Sequence, residues 1–221
     1  VLEERLSRLI EHHDAPHHHA STPGPVAAPD DYDVVAIGAS TGGIHALGQF
    51  LRAIPPSFQV PILVTQHLPV SFIGYFATQL AVLGSRPCDV AIDRMRIRPG
   101  RIVVAPGDAH MRVVRLADGA AIRLTEERSP SGCKPSVDPM FESVAEVFGK
   151  RALGVVLSGM GRDGSLGARN LREAGARIFA QDRETSVVWG MPGSVANAGL
   201  ATAVLPPDEL GRLVARRVRA A

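Results

Sequence analysis

A short glycine-rich segment sets the strongest constraint on how this 221-residue chain can fold. The segment Gly38-Ala-Ser-Thr-Gly-Gly43 follows the continuous apolar run Val34–Ile37 and opens a helical pattern that continues to Ala53. A continuous apolar run is typical of a parallel strand that is buried on both faces. The segment therefore predicts a strand, a tight turn and a helix, which is the first unit of an α/β sheet.

Strand and helix patterns alternate along most of the remaining chain. The predicted strands are Pro61–Val64, Leu153–Leu157, Ala176–Ala180 and Leu200–Val204, and the predicted helices are Phe72–Leu83, Val137–Phe148, Leu166–Ala174, a short helix from Val195, and Pro206–Val218. Because crossover connections between parallel strands are right-handed, this order favours one compact solution. We predict an α/β fold with a doubly wound, mostly parallel sheet flanked by helices.

Residues 88–124 have a different pattern. Three short apolar runs, Ile102–Ala105, Met111–Leu116 and Ala121–Leu124, are separated by Pro106-Gly-Asp108 and by Asp118-Gly119. Turn residues between short apolar runs are typical of hairpins. We therefore predict an inserted antiparallel hairpin in this part of the chain.

The first 32 residues differ from the rest in composition. They contain five of the eight histidines and the Pro/Gly/Ala-rich stretch Ala20–Pro29. A flexible head and linker is the favoured interpretation, and metal binding by the histidines is the alternative. Residues 33–221 have the length of a single domain with its own core.

The overall composition excludes several classes of protein. With 45% hydrophobic and 21% charged residues, the chain is neither disordered throughout nor fibrous. We expect no membrane span, because Pro, Ser, Gln and His interrupt the apolar runs of the uncharged residues 53–85. We expect no signal peptide and a cytoplasmic location, because no basic segment followed by an apolar one begins the chain. The two cysteines, Cys88 and Cys133, lie far apart, so we expect neither a disulfide framework nor a zinc ribbon.

Charge is unevenly distributed along the chain. Residues 1–33 carry a net charge of −5, and the remainder carries +7. A basic body suits an acidic partner. The basic residues are scattered and have few aromatic neighbours, which argues against nucleic-acid binding.

Ser40 occupies the centre of the glycine-rich turn, and two functional interpretations compete there. As Gly-x-Ser-x-Gly, the turn is a nucleophile elbow, with backbone N–H groups of the helix N-terminus available to an oxyanion. As a dinucleotide-binding turn, it requires an acidic residue about 20 residues later, at the end of the next strand. No Asp or Glu lies between Asp33 and Asp89, so the first interpretation is favoured, and a purely structural turn remains a third.

A histidine and an aspartate follow two other predicted strands. The strand that begins at Pro61–Val64 continues through Thr65 and Gln66 and ends at His67. Asp163 lies in the glycine-rich segment after Leu153–Leu157. Ligands of doubly wound sheets collect beyond the carboxyl ends of the strands. A serine hydroxyl needs a base such as histidine, and an acid can orient that base. The competing interpretations are a structural histidine and a helix N-cap for Asp163.

Six separated segments resemble the chemotaxis-receptor methylesterase family, CheB, over about residues 33–218. They are Gly38-Ala-Ser-Thr-Gly-Gly43, Thr65-Gln-His-Leu-Pro69, Ala105-Pro-Gly-Asp108, Lys134-Pro-Ser-Val-Asp138, Ser158-Gly-Met-Gly-Arg-Asp-Gly164 and Trp189-Gly-Met-Pro192. The resemblance implies a parallel α/β sheet with an antiparallel hairpin. It also implies hydrolysis of glutamate γ-methyl esters on chemoreceptor signalling helices, with release of methanol, and in many members deamidation of receptor glutamines.

The family's catalytic triad maps onto Ser40, His67 and Asp163, and Thr41 and Met160 match residues that line its site. The resemblance implies no metal and no organic cofactor. Family members commonly carry an N-terminal receiver domain, and the 32 residues before the first strand are too few for one. We therefore expect a catalytic domain, with a nucleotide-binding oxidoreductase and a non-catalytic receptor-binding module as the alternatives.

Four further residues have structural interpretations. Ser136 and Asp138 are N-cap candidates for the helix that starts near Val137. His110 follows a predicted turn, and substrate contact is its less favoured role. Trp189, the only tryptophan, is expected in the core or at the rim of the cleft.

Overall fold

A computed structural model describes residues 32–216 of the chain. The predicted head lies outside these residues, except for Tyr32, which is buried against the closing helix. The strands are β1 (Val34–Ala39), β2 (Ile62–Gln66), β3 (Cys88–Val90), β4 (Ile102–Val104), β5 (His110–Leu116), β6 (Gly119–Thr125), β7 (Ala152–Val156), β8 (Arg177–Gln181) and β9 (Ala203–Leu205). The helices are α1 (Gly43–Arg52), α2 (Val70–Gly84), α3 (Val137–Phe148), α4 (Ser165–Glu173), α5 (Met191–Asn197) and α6 (Pro207–Ala215).

Seven strands form one parallel sheet in the order β3-β4-β2-β1-β7-β8-β9. Strands β5 and β6 form a separate antiparallel pair. The predicted fold class is therefore confirmed, including the inserted hairpin. No helix within residues 32–216 has both the length and the apolar character that crossing a membrane requires.

Two local predictions were wrong, and one strand was not predicted. The run Ile102–Ala105, predicted as part of the hairpin region, contains β4, a buried strand of the main sheet. The short strand β3 had no prediction, and α5 begins at Met191 rather than at Val195. The helix starts earlier because Pro192 is tolerated in the first helical turn, where its missing N–H has no partner to lose.

Helices cover both faces of the sheet, and alternate residues of β1 face opposite sides. Val35 and Ile37 pack into the cluster built with α1, α2 and α6. Val34 and Ala36 pack into the cluster built with α3, α4, α5 and the hairpin. All six residues of β1 are buried, which explains the continuous apolar run in the sequence.

The strand order reverses direction at β1. After β1 the chain builds β2, β4 and β3 on one side, and later it returns to place β7, β8 and β9 on the other. Such a reversal opens a crevice beyond the carboxyl ends of the strands that flank it. The segments after β1, β2 and β7 therefore meet at the position where an α/β sheet binds its ligand.

Candidate active site

Ser40 lies on a sharp turn between β1 and α1, as the sequence predicts. Its N–H donates to the carbonyl of Ser158 at 3.0 Å, and its own carbonyl accepts from the Gln66 side chain at 2.8 Å. Gly42, the N-cap residue of α1, has a φ of 78°, a conformation that side-chain-bearing residues rarely adopt. The backbone around the serine is thus fixed from both neighbouring strands.

Gly159 leaves space for the Ser40 side chain because it has no side chain of its own. A Cβ atom on this residue would lie 2.9 Å from Cβ of Ser40 and 2.4 Å from the sulfur of Met191. Real Cβ atoms do not approach other atoms so closely, so only glycine fits at this position. The segment after β7 therefore packs its bare backbone against the turn that carries Ser40.

His67 lies beside Ser40 at the end of the neighbouring strand. The register pairs Ala39 with Gln66, and the N–H of His67 donates to the carbonyl of Ala39 at 3.2 Å. Neighbouring strands are about 4.8 Å apart, so the two side chains start from adjacent positions. Among residues 32–216, Ser40 Oγ makes no hydrogen bond to His67; such contacts are often long before substrate binds.

The structure pairs His67 with Asp163, which were predicted to act together. Nε2 of His67 donates to Oδ2 of Asp163 at 2.7 Å. The aspartate is 2% exposed and the histidine side chain 17%. With Nε2 committed to the carboxylate, Nδ1 is the ring nitrogen left to exchange a proton with a substrate or with the serine.

The carboxylate of Asp163 accepts five hydrogen bonds, including the one from His67. Ser136 Oγ donates to Oδ1 at 2.6 Å, and the N–H of Val137 donates to Oδ2 at 2.8 Å. The N–H groups of Asp138 and Gly164 donate to Oδ1 at 3.3 and 3.0 Å. The carboxylate thus sits at the N-terminus of α3, where the helix dipole favours a negative charge.

These contacts correct the predicted helix caps. Gly164 is the N-cap residue of α4, and Asp163 instead accepts from the first turn of α3. Ser136 is the N-cap residue of α3, but its hydroxyl bonds to Asp163 and not to its own helix. The competing interpretation of Asp163 as N-cap of the helix that follows it is therefore wrong, and its carboxylate bonds both to the first turn of α3 and to His67.

The two acids at this helix end have opposite pKa shifts. Burial raises the pKa of Asp163, but the hydrogen bonds from His67 and Ser136 outweigh it and hold the pKa at about 2. Burial raises the pKa of Asp138 to about 6, and the nearby charge of Asp163 adds to the effect. Asp163 therefore ionises at a much lower pH than Asp138 and carries its negative charge beside the imidazole before Asp138 becomes charged.

Two backbone N–H groups next to Ser40 have no acceptor among the described residues. They belong to Thr41 and Gly42, while the N–H of Ser40 itself is bonded to Ser158. Free N–H groups at a helix N-terminus are suited to an oxyanion. The second residue predicted to line the site, Met160, is 71% exposed and borders a cleft of about 660 Å³ that reaches Asp163.

A buried histidine supports this arrangement and was not predicted to do so. His110 is 1% exposed, and its Nδ1 accepts from the N–H of Ser136 at 3.0 Å. Its Nε2 donates to the carbonyl of Glu127 at 2.8 Å. His110 therefore ties the hairpin to the residue that holds Asp163, and it is not placed to contact substrate.

The remaining candidates have simpler surroundings. Trp189 is half-buried and donates from Nε1 to the carbonyl of Gln181 at 3.1 Å, so it packs beside β8.

Among the described residues one group has the composition of a metal site: ligand atoms of His67, Cys133 and Asp163 lie within 4.8 Å of one another. Burial raises the pKa of the Cys133 thiol, so this thiol is a poor nucleophile at neutral pH.

Comparisons with known proteins place the chain in a family. A family model described as CheB methylesterase matches residues 35–214. A protein-glutamate methylesterase/protein-glutamine glutaminase of Maricaulis maris (strain MCS10) is 45% identical over 198 residues, which is 90% of this chain and 49% of that protein. A second one from Caulobacter vibrioides (strain ATCC 19089 / CIP 103742 / CB 15) is 45% identical over 207 residues, 90% of this chain and 59% of that protein.

A solved structure matches equally well. The crystal structure of the Thermotoga maritima CheB methylesterase catalytic domain superposes with a TM-score of 0.80 at 33% identity, covering 83% of this chain and 98% of that one. The chain spans about half the length of the curated relatives it matches. Fold, family model and relatives agree with the six sequence segments, and the chain belongs to the CheB methylesterase family.

Proposed function

We propose that this chain is a serine esterase that hydrolyses glutamate γ-methyl esters on proteins and releases methanol. The observation that carries the proposal is the 2.7 Å hydrogen bond between His67 and Asp163, placed at the strand ends directly beside Ser40. A buried, ionised acid that orients a half-buried histidine next to a serine is the arrangement of nucleophilic acyl transfer.

In the first half of the reaction, Ser40 Oγ attacks the ester carbonyl carbon while Nδ1 of His67 accepts the hydroxyl proton. The carbonyl oxygen becomes an oxyanion, which the free N–H groups of Thr41 and Gly42 stabilise. The tetrahedral intermediate then collapses, the bond to methoxide breaks, and His67 returns the proton to give methanol. Ser40 is left as the glutamyl ester of the substrate.

In the second half, water attacks this acyl-enzyme with His67 as the base, and the product glutamate leaves as Ser40 regains its proton. Asp163 keeps the Nε2–H tautomer throughout and stabilises the imidazolium. A γ-amide can enter the same sequence with ammonia as the leaving group, so we also propose glutamine deamidation, an activity that the names of the relatives include. Each step uses groups of this chain and water alone.

The alternative of a nucleotide-binding oxidoreductase loses support at the end of β2. A dinucleotide-binding sheet needs an acidic residue there to hold a ribose. Gln66 and His67 occupy this position, and their side chains turn to Ser40 and Asp163. The other alternative, a receptor-binding module without activity, is distinguished by experiment.

The direct test is release of volatile tritium from a chemoreceptor carrying tritiated γ-methyl esters, measured with the full chain. We expect methanol to be released at a rate proportional to enzyme concentration. A chain that sediments with receptor membranes but releases no methanol is a binding module, and that result would contradict the proposal.

We propose methylated cytoplasmic helices of chemoreceptors as the partner, and the cytoplasm as the location. The support is family membership together with the net charge of +7 over residues 34–221, which suits an acidic surface. Steered association weakens as salt rises. We expect the apparent second-order rate constant on intact receptor to fall with ionic strength while that on a small neutral ester stays level; parallel responses would contradict steering.

A further inference from the structure

The thiol of Cys133 lies next to the acid–base pair, although the proposed hydrolysis does not use it. Its Sγ, one ring nitrogen of His67 and one carboxylate oxygen of Asp163 are all within 4.8 Å of one another. Cys133 is half-buried in the loop that joins β6 to α3. A sulfur, a nitrogen and an oxygen donor thus lie close to one another in this part of the site.

This set of donors matches one metal ion well. Zn²⁺ binds thiolate, imidazole and carboxylate, and three protein ligands with one open position are typical of accessible zinc sites. With the usual bond lengths, tetrahedral ligand atoms are about 3.3–3.6 Å apart, so a separation of up to 4.8 Å must close by about 1.2 Å or less. If Nε2 of His67 is the ligand, its 2.7 Å separation from Oδ2 of Asp163 must instead open. The proposal requires Cys133 to supply this movement, and Cys133 lies in a loop rather than in a helix or strand.

We propose that His67, Cys133 and Asp163 form an inhibitory Zn²⁺ site, an inference whose activity readout rests on the proposed function. Binding replaces the thiol proton with the metal: the S–H bond breaks, a Zn–S bond forms, and the proton goes to solvent. Water occupies the fourth position. No oxidation or reduction takes place.

The site inhibits whichever ring nitrogen of His67 binds the metal. If Nδ1 binds, the metal takes the lone pair that must accept the proton of Ser40. If Nε2 binds, the single proton of the neutral imidazole moves to Nδ1, and Nδ1 no longer accepts one. In both cases the base is lost while the fold is unchanged.

Cys133 is the residue that separates this site from the hydrolytic machinery. Asp163 already accepts hydrogen bonds from four donors besides His67, so the soft thiolate has to supply much of the affinity. Cys88, the other cysteine, lies in β3 and is not a member of the cluster. The Cys88→Ala variant is therefore a matched control for the loss of a thiol.

The first measurement uses Co²⁺ as a spectroscopic substitute for Zn²⁺ on the full chain. A thiolate bound to Co²⁺ gives a charge-transfer absorption in the near ultraviolet that imidazole ligands do not give. The histidines at positions 12, 13 and 17–19 can bind metal without producing this band. We expect the band in the wild type and in Cys88→Ala, its loss in Cys133→Ala, and weaker Co²⁺ binding in His67→Gln.

The second measurement is the ratio of inhibited to uninhibited esterase rate at increasing Zn²⁺, with recovery on adding EDTA. Loss of second-shell partners of metal sites costs 10–100-fold in affinity, so loss of a direct ligand in Cys133→Ala should weaken inhibition at least about tenfold. Equal inhibition of both cysteine variants, or no thiolate band in the wild type, would overturn the site. If the chain releases no methanol at all, the proposed function fails, and the Co²⁺ spectrum still decides the metal site.

Discussion

The two ends of the proposed triad are built in opposite ways. At Asp163 both carboxylate oxygens accept hydrogen bonds, five in all, and the residue is almost fully buried. At Ser40 the backbone is fixed, but the hydroxyl has no hydrogen bond to His67 and the next two N–H groups have no acceptor among the described residues. The acid end is thus complete before substrate binds, and the nucleophile end is completed by substrate.

This difference fits what each end has to do. The charge on Asp163 is present throughout the reaction, so fixing its surroundings in advance avoids reorganisation at the transition state. The negative charge near Ser40 develops only during attack, and donors that are unpaired in the free enzyme become paired at that moment. Substitutions at the two ends should therefore affect rate and stability in different proportions.

The largest effect is expected at the open end. Ser40→Ala removes the nucleophile, and ester hydrolysis should fall about 10⁶-fold, the scale measured for a triad serine in a serine protease. The melting temperature should be nearly unchanged, because the Ser40 side chain makes no hydrogen bond to another of the described residues. Initial rates on methylated receptor and a thermal melt decide both points, and near-wild-type turnover would remove Ser40 from the mechanism.

The next largest effect combines activity and stability. In Asp163→Asn, the amide favours the wrong tautomer of His67, so we expect at least about 10² loss in turnover. Asn also presents an NH₂ group to donors of α3, so the free energy of unfolding should fall by about 1–3 kcal/mol. Asn caps helices as well as Asp does, which on its own predicts no loss of stability. The five hydrogen bonds of Asp163 reverse that expectation.

The stability loss in Asp163→Asn has a defined pH range. The pKa of Asp163 lies at about 2 in the folded chain, below the ordinary value of 3.8. A depressed acid pKa stabilises the fold above the unfolded value, and this contribution is lost as pH falls towards the folded value. The difference between wild type and variant should therefore be complete at pH 7 and shrink between about pH 4 and pH 2. If urea unfolding gives the same stability difference between wild type and variant at every pH, the loss has a cause other than the charge of Asp163.

A smaller effect is expected from removing the Ser136 hydroxyl, which donates a hydrogen bond to Asp163. Ser136→Ala removes one of the donors to a charged acceptor, a bond worth about 1.5–3 kcal/mol, and we expect kcat to fall about tenfold or more with KM unchanged. Ser136→Thr should restore most of the rate. Ser131→Ala is the matched control, because Ser131 contacts Ser136 at 3.2 Å and does not contact Asp163. Unchanged kcat in Ser136→Ala would make the hydroxyl merely structural.

The smallest effect is a gain in stability. Burial raises the pKa of Asp138 from the ordinary value of 3.8 to about 6. Ionisation of Asp138 therefore costs more in the folded chain than in the unfolded one, and it lowers the free energy of unfolding as pH rises from 3.8 to about 6. Asp138→Asn avoids this and keeps an oxygen for the N–H of Gly167, which Asp138 accepts at 2.8 Å. Above pH 6 the variant should melt at least about 2 °C higher, and at pH 4 the gain should disappear. An equal gain at both values would exclude the charge as its cause.

The sequence predicted the open end of the site better than the closed end. Ser40 and His67 follow buried strands that are neighbours in the chain, so their meeting follows from strand geometry alone. The hydrogen bond from Ser136 to Asp163 could not be predicted. A serine before a helix indicates an N-cap, and the sequence does not show which group its hydroxyl bonds to. The proximity of Cys133 to His67 depends on the path of a loop, for which the sequence has no periodic signal.

The fold was predicted in class but not in every strand. The run Ile102–Ala105 is equally typical of a hairpin strand and of a buried parallel strand, since periodicity does not separate the two. The turn residues that follow it favoured the hairpin. Pairing with β2 and β3 decides the matter, and that pairing is a tertiary contact.

The contact of His110 with Ser136 has a consequence for motion. Through it, the β5–β6 hairpin supports the residue that holds Asp163, so the insertion and the catalytic acid share one hydrogen-bonded path. Segments linked in this way open together in native-state fluctuations, as one cooperative unit. The exchange of the Val137 amide hydrogen, which is bonded to Asp163, should therefore follow the opening of the hairpin. A brief detachment of the β5–β6 hairpin would then stop the proposed hydrolysis while the central sheet stays intact.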